Sequence, residues 1–216
     1  MIRIAIVDDQ PLLRAGFSMI VQSEEDLELV GEASTGIEAI ELAARTRPDV
    51  MLMDIRMPDL DGIKATERIV TEPNPPAILV LTTFDSDEYV YGALRAGASG
   101  FLLKDAPADD LIHAIRVIAK GEGLLAPSIT RRLINDFATR SETKTHPGIA
   151  ELTEREIEVL LLMSKGMSNS EIAESLYLGE TTIKTHVGRI LLKLSVRDRV
   201  QAVVAAYECG LVQPGS

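Results

Sequence analysis

Five side chains near the ends of short apolar runs could together handle a phosphoryl group. Asp8 and Asp9 follow the run IRIAIV at 2–7, and Asp54 closes DVMLMD at 49–54. Thr82 lies at the end of AILVLTT at 77–83, and Lys104 ends GFLLK at 100–104. Three carboxylates drawn to one place raise each other's proton affinity. A hard divalent cation with oxygen ligands, Mg2+ above all, relieves that crowding and keeps water in its shell for exchange. A hydroxyl and an ammonium beside a metal-bound carboxylate make a cradle for an incoming phosphoryl group. Taken singly, each residue has a plainer reading. Asp8 or Asp9 could cap a helix opening near Pro11, Thr82 could be an ordinary strand end, and Lys104 a solvated one. The set is what points to chemistry.

Convergence of the five needs a particular frame. The four runs that carry them, together with LELVGE at 27–32, alternate with stretches of helical spacing. Pro11 fits the first turn of one helix, and Ile37, Ile40, Leu42 and Ala44 line another, with Pro48 near its end. Near-continuous apolar strands separated by helices signal a parallel sheet covered on both faces. Five such units give a doubly wound, flavodoxin-like α/β domain whose ligand site lies at the carboxyl ends of its strands. Functional side chains stand at four of those five ends. Neither a G-x-x-x-x-G-K-[ST] loop nor a G-x-G-x-x-G fingerprint is present, so nucleotide folds of those kinds are excluded.

The chain has 216 residues, enough for two small domains, and 46% of them are hydrophobic. No apolar run approaches the ~20 residues of a membrane span. The start, MIRIAIVDDQ, lacks the pattern of a signal peptide, and the single Cys209 suits a reducing cytoplasm. Net charge is −11, which by itself argues against nucleic acid. The charge is unevenly spread. Residues 1–125 carry 22 acidic and 11 basic side chains, whereas residues 126–216 carry 11 of each. Lys184, Arg189, Lys193, Arg197 and Arg199 stand against Asp198 alone in 184–199, a modest basic patch.

The motifs DD at 8–9, MLMDIRMPDLDG at 51–62, LTTF at 81–84 and GASGFLLKD at 97–105 closely resemble the receiver domain of bacterial response regulators. The resemblance covers about the first 120 residues. It implies that Asp54 is the phosphoacceptor for a partner sensor histidine kinase. It further implies that Asp9 and Asp54 ligate Mg2+ directly, with Asp8 acting through water and the backbone carbonyl of Arg56 completing the protein ligands. Thr82 would hydrogen-bond the phosphoryl oxygens and Lys104 would pair with them. Phe101 takes the place of the switch aromatic, which turns inward when Thr82 moves. Many receivers have tyrosine there, so the phenylalanine must swing by packing alone. Such a chain promotes its own phosphorylation and dephosphorylation but is a switch rather than an enzyme. The stretch 81–107 is similar to NarL-type regulators of Gram-positive bacteria, especially actinobacteria.

Beyond residue 120 the pattern changes. Residues 122–148 read as a linker with a short helix over Ser128–Ala138, and 149–213 read as short helices with tight turns. Thr153 with Glu156 makes a capping box. Helices are expected over Asn169–Leu176, Glu180–Leu194 and Arg197–Glu208. Ile172, Ala173 and Leu176, then Ile183, Val187 and Ile190, form the inner stripe. The opposite face of the second helix shows Thr181, Lys184, Thr185 and Gly188, with Arg189 and Lys193 at its edges. Such a face suits the major groove, although an ordinary solvated helix of a protein-binding bundle has the same residues.

Residues 152–203 closely resemble the helix-turn-helix shared by LuxR and NarL/FixJ regulators, and receiver plus helix-turn-helix in this order resembles the NarL/FixJ class. The resemblance implies that 180–194 is a recognition helix. Lys184 and Thr185 would then face bases, with Lys193 on the backbone and Asn169 on phosphate. His186 fits either a backbone contact or a half-packed structural role. Two departures stand out: Gly188 replaces a larger, often basic side chain, and Gly179 takes the usual serine cap. A module this small normally reads two-fold-related half-sites on double-stranded DNA as a homodimer. The last helix offers Val200, Val203, Val204 and Tyr207; part of that surface is core, and the resemblance implies that the remainder forms the two-fold contact. The competing functions are a receiver signalling through protein contacts of its helical module, a phosphorylation-independent DNA binder, and, third, a hydrolase.

Overall fold

The computed structural model describes residues 1–83, 87–122 and 146–212. The helix expected over Ser128–Ala138 lies outside them. The chain forms two compact units that divide after Leu124.

The first unit is a five-stranded parallel sheet of β1 (Ile2–Val7), β2 (Leu27–Ala33), β3 (Val50–Asp54), β4 (Ala77–Thr82) and β5 (Gly100–Leu103), in the order β2-β1-β3-β4-β5. Helices α1 (Pro11–Gln22), α2 (Gly36–Thr46), α3 (Gly62–Ile69), α4 (Asp87–Arg95) and α5 (Ala108–Ile118) alternate with the strands. Every residue of β3 is buried, as a central strand covered on both faces requires. Ile4, Ile6, Leu52, Leu79 and Leu81 pack against Phe17 and Val21 of α1 and Leu111 and Ile115 of α5. The strand register sets Asp54 beside Leu81 and Thr82 beside Leu103, which brings the functional ends level.

Three local details differ from the sequence pattern. Neither aspartate caps α1: its N-cap is Gln10, whose N–H donates to Asp8 Oδ1 at 2.9 Å. The inner face of α2 is Gly36, Ala39 and Leu42, while Ile37 is 50% exposed and Ala44 also faces outward. The phase is set by close docking at Gly36, whose N–H bonds the Leu60 carbonyl at 3.1 Å. Finally, β5 stops at Leu103, and Lys104 follows it, with its N–H bonded to the Thr82 carbonyl at 2.9 Å.

The described part of the second unit begins with a 3-10 turn, Pro147–Glu151, followed by α6 (Glu154–Ser164), α7 (Asn169–Leu176), α8 (Glu180–Lys193) and α9 (Arg199–Glu208). The turn starts inside the stretch that reads as linker. Gly148 explains why: a Cβ there would lie 2.2 Å from the Lys193 carbonyl, so the turn is packed against the end of α8. The capping box of Thr153 and Glu156 opens α6, and a second box, Ser168 with Glu171, opens α7. Helix α8 starts at Gly179 with no side-chain cap. Helix α9 begins two residues later than its apolar pattern suggests, because Asp198 accepts from the Gln201 N–H as N-cap. Val159, Leu160, Met163, Ile172, Ile183, Ile190 and Val203 form the core, with Leu176 and Val187 at its margin.

Candidate functional site

At the carboxyl edge of the sheet, oxygens of Asp8, Asp9 and Asp54 all lie within 4.8 Å of one another. Asp8 and Asp54 are buried and Asp9 is exposed. Lys104 Nζ pairs with Asp8 Oδ2 at 2.6 Å and with Asp54 Oδ2 at 2.9 Å, inside the same buried pocket. Burial pushes the Asp54 carboxyl above the ordinary aspartate range, against the pull of Lys104, and the neighbouring Asp8 charge adds to the rise. Burial pulls the Lys104 pKa down, but its bonds to Asp8 and Asp54 outweigh that and raise it above the ordinary lysine value. Three hard oxygen donors beside one ammonium form a donor set suited to Mg2+.

Backbone packing holds the cluster in place. Asp54 is followed by a loop clamped from two sides by glycines. A Cβ on Gly62 would sit 1.9 Å from the Asp54 carbonyl oxygen, and one on Gly36 would sit 2.4 Å from that of Leu60. Gly62 also donates its N–H to the Ile55 carbonyl at 2.9 Å. Asp61 caps α3 through the Lys64 N–H, so the Asp-Gly pair at 61–62 both starts the helix and seats the end of β3. Arg14 Nη1 donates to the Asp8 carbonyl at 2.7 Å and pairs with Glu32, which Ser18 also engages. The positioning roles of Arg14, Gly36 and Gly62 were not read from the sequence. The Asp-Gly dipeptide was the one local signal that could have shown Gly62.

Thr82 is 4% exposed at the end of β4, next to this pocket. Phe101 is 1% exposed and lies opposite Val80 in the sheet. The aromatic side chain is therefore already turned inward, where an apolar ring without a hydroxyl is most stable. A cleft of about 550 Å³ opens beside Asp9, walled by Arg56, Asp61 and Tyr89.

In the second unit, Thr181, Lys184, Thr185, Gly188 and Arg189 are exposed on α8. A Cβ on Gly188 would meet nothing within 4 Å, so packing does not demand glycine there. Lys184 pairs with Glu180 one turn earlier at 3.0 Å, and the Thr185 hydroxyl donates to the Thr181 carbonyl at 3.0 Å. Two other expected DNA contacts are engaged inside the domain. Lys193 Nζ is bound to buried Glu156 at 2.7 Å, and Asn169 Oδ1 accepts from Arg199 at 3.0 Å. Burial lowers the Arg197 pKa, and that side chain sits by Asp198 at 3.3 Å, so the basic patch of 184–199 narrows at the surface to Lys184 and Arg189. His186 is half-buried. In α9, Val203 and Tyr207 belong to the core of this unit, and Val200 and Val204 are buried as well.

Comparison with known proteins agrees with both units. Residues 4–116 match the response regulator receiver domain, and residues 150–206 match the bacterial regulatory proteins of the luxR family. The chain is 44% identical over 213 residues to the transcriptional regulatory protein YxjL of Bacillus subtilis, covering 98% of each. It is 41% identical over 212 residues to the response regulator VraR of Staphylococcus aureus, covering 98% of this chain and 99% of VraR. Among solved structures, it resembles the response regulator ChrA of a heme-sensing two-component system, with a TM-score of 0.54, 35% identity and 98% of each chain covered. The receiver domain of NarL from Mycobacterium tuberculosis matches with a TM-score of 0.55 and 36% identity over 56% of this chain and 98% of that one. A receiver and a luxR-type helix-turn-helix, aligned with such relatives from end to end, make this chain a DNA-binding transcriptional response regulator of the LuxR/NarL family.

Proposed function

We propose that a partner sensor histidine kinase phosphorylates Asp54 and that the modification controls dimeric promoter binding through α8. The observation that carries this reading is the buried Asp54 carboxylate, grouped with Asp8 and Asp9 and paired with Lys104 at 2.9 Å. Asp9, Asp54 and the Arg56 carbonyl would hold Mg2+, with Asp8 acting through water. Bound there, the ion neutralises charge on the phosphoryl oxygens. The Asp54 carboxylate attacks the phosphorus of the kinase phosphohistidine, forming an acyl phosphate as the P–N bond breaks. Lys104 then exchanges its pairing with Asp8 and Asp54 for the phosphoryl oxygens, and the Thr82 hydroxyl donates to them. Both side chains are buried, so their movement repacks the surroundings of β4 and β5, including Phe101. Residues 1–121 carry the switch, 122–148 link it, and 149–213 carry the output.

In the output domain, Lys184 and Thr185 are assigned to base edges, with Thr181 and Arg189 beside them. The exposed face of α8 supports this assignment. Asn169 and Lys193 are assigned to the DNA backbone, which for Lys193 means leaving Glu156. The DNA target is double-stranded, with two-fold-related half-sites bound by a homodimer, and the protein works in the cytoplasm. Among the described residues no helix is long and apolar enough to cross a membrane.

The test is selection of bound fragments from a random DNA pool, with and without beryllofluoride as a stable phosphoryl mimic. A two-fold-symmetric motif enriched only with the mimic is the expected result. Equal enrichment in both samples removes phosphorylation from the reading, and a motif without symmetry removes the dimer.

A further inference from the structure

The exposed face of α8 carries a glycine that the fold itself does not require. Thr181, Lys184, Thr185 and Gly188 follow one another at helical spacing and are all exposed. Glycine is, after proline, the least favourable residue inside a helix. At Gly148 in the same unit packing demands it, since a Cβ would lie 2.2 Å from the Lys193 carbonyl. At Gly188, inside α8, a Cβ would meet nothing within 4 Å. A residue that weakens its own helix and relieves no contact within the chain leaves room for something outside it. Thr185, three residues earlier on the same face, narrows what that is. Its hydroxyl has one proton to donate, and that proton goes to the Thr181 carbonyl at 3.0 Å. Neither side chain therefore presents a donor or a charge. What remains is the Thr185 methyl beside a bare Cα, a shallow apolar notch between the exposed cations Lys184 and Arg189.

We propose that Thr185 and Gly188 determine specificity by receiving the C5 methyl group of thymine, so that α8 selects a T·A pair beneath them. The proposal rests on α8 entering the major groove of DNA. Of the four bases only thymine shows a methyl group there; guanine shows two acceptors, adenine an acceptor and a donor, and cytosine a donor. A notch without a donor leaves guanine unsatisfied. A thymine methyl, by contrast, loses its water against the Thr185 methyl and the Gly188 Cα, an apolar match. Without a Cβ at 188 the helix comes closer to the base edge, whereas a larger side chain would hold it off. The glycine that weakens the helix thus sharpens the choice of base. Lys184 and Arg189 add attraction to the DNA but do not sense the methyl.

The experiment uses the full chain with Mg2+ and beryllofluoride. A motif is first selected from a random duplex pool, and each of its thymines is then replaced singly by deoxyuridine, which differs only in lacking the methyl. Affinities are compared at one fixed salt concentration. One thymine in each half-site is expected to lose about fourfold in affinity on replacement, the worth of one buried methyl. Thr185→Ser keeps the hydroxyl and removes the methyl, so the ratio of thymine to deoxyuridine affinity at that position should fall to unity. Gly188→Ala fills the notch and should lower the same ratio while raising the urea midpoint, which separates lost recognition from lost folding. Lys184→Ala should weaken binding to both duplexes and keep the ratio. A motif whose thymines all tolerate replacement would overturn the notch, as would a methyl effect that survives in both Thr185→Ser and Gly188→Ala. If no motif is selected, DNA binding by α8 itself fails and the notch with it, an outcome distinct from a motif indifferent to methyl groups.

Discussion

The acid cluster and the exposed face of α8 are built in opposite ways. Asp8, Asp54 and Lys104 are buried and pinned to one another at 2.6 and 2.9 Å at the strand ends, and the Asp54 backbone is itself wedged against Gly62. On the exposed face of α8, Lys184 meets Glu180 and Thr185 meets the Thr181 carbonyl. A site that moves a phosphoryl group must exclude water and hold charges in fixed geometry. A surface that reads DNA must stay exposed until its ligand supplies the partners. Substitutions in the first region should therefore act through geometry and charge burial, and those in the second through binding and helix propensity.

The sharpest break comes at Asp54. Asp54→Asn should abolish acid-labile phosphate on incubation with acetyl phosphate and Mg2+, while Lys184→Ala leaves it intact; a phosphate-affinity gel reads both. Next in size is a contrast between two glycines. Gly62→Ala forces a Cβ to within 1.9 Å of the Asp54 carbonyl and should cost the receiver about 2–4 kcal/mol in urea denaturation. Gly188→Ala meets open space in a helix and should stabilise the second unit by about 1 kcal/mol. Equal effects at the two positions would erase the distinction between a wedged site and an open face.

Glu156 belongs to neither surface but shows where the second region is pinned. Its carboxylate accepts the Thr153 N–H and the Lys193 ammonium, and despite burial, which raises it, these partners hold its pKa below the usual glutamate value of 4.5. A carboxylate with a lowered folded pKa adds stability above its unfolded value, and that stability disappears as the pH falls through the folded one. Glu156→Gln should therefore cost about 1–3 kcal/mol at pH 7. The gap between variant and unaltered chain should close as the pH drops below about 4.5, as urea midpoints across that range would show. The smallest effect is expected at Lys184. Breaking its exposed pair with Glu180 should leave stability within about 0.5 kcal/mol. If Lys184 meets phosphate, its removal should weaken binding to all sequences and lower the salt slope by about 1; if it meets a base, preference at one position should relax instead.

Much of this could be read from local pattern. The five strands and their order of appearance, the ends where Asp8, Asp9, Asp54, Thr82 and Lys104 gather, and the Thr153–Glu156 box depend on neighbours only a few residues away or on a two- or three-residue periodicity. The Ser168–Glu171 box has the same spacing and is equally legible. Ile37 and Ala44 face outward because a helix of about three turns offers several apolar stripes, and docking of Gly36 on the Leu60 carbonyl chooses among them.

Residue types and spacing alone placed a group of carboxylates at the edge of a parallel sheet and a separate helical module after it. That is possible because a parallel sheet brings all its strand ends to one edge whatever the loops contain. Only the tertiary structure decided which charges remain available. Lys193 is drawn to Glu156, 37 residues earlier, and Arg199 to Asn169, 30 residues earlier. No helical or strand period reaches across such distances. A charge taken out of water must find a partner wherever the folded chain places one, and that placement depends on packing rather than on spacing.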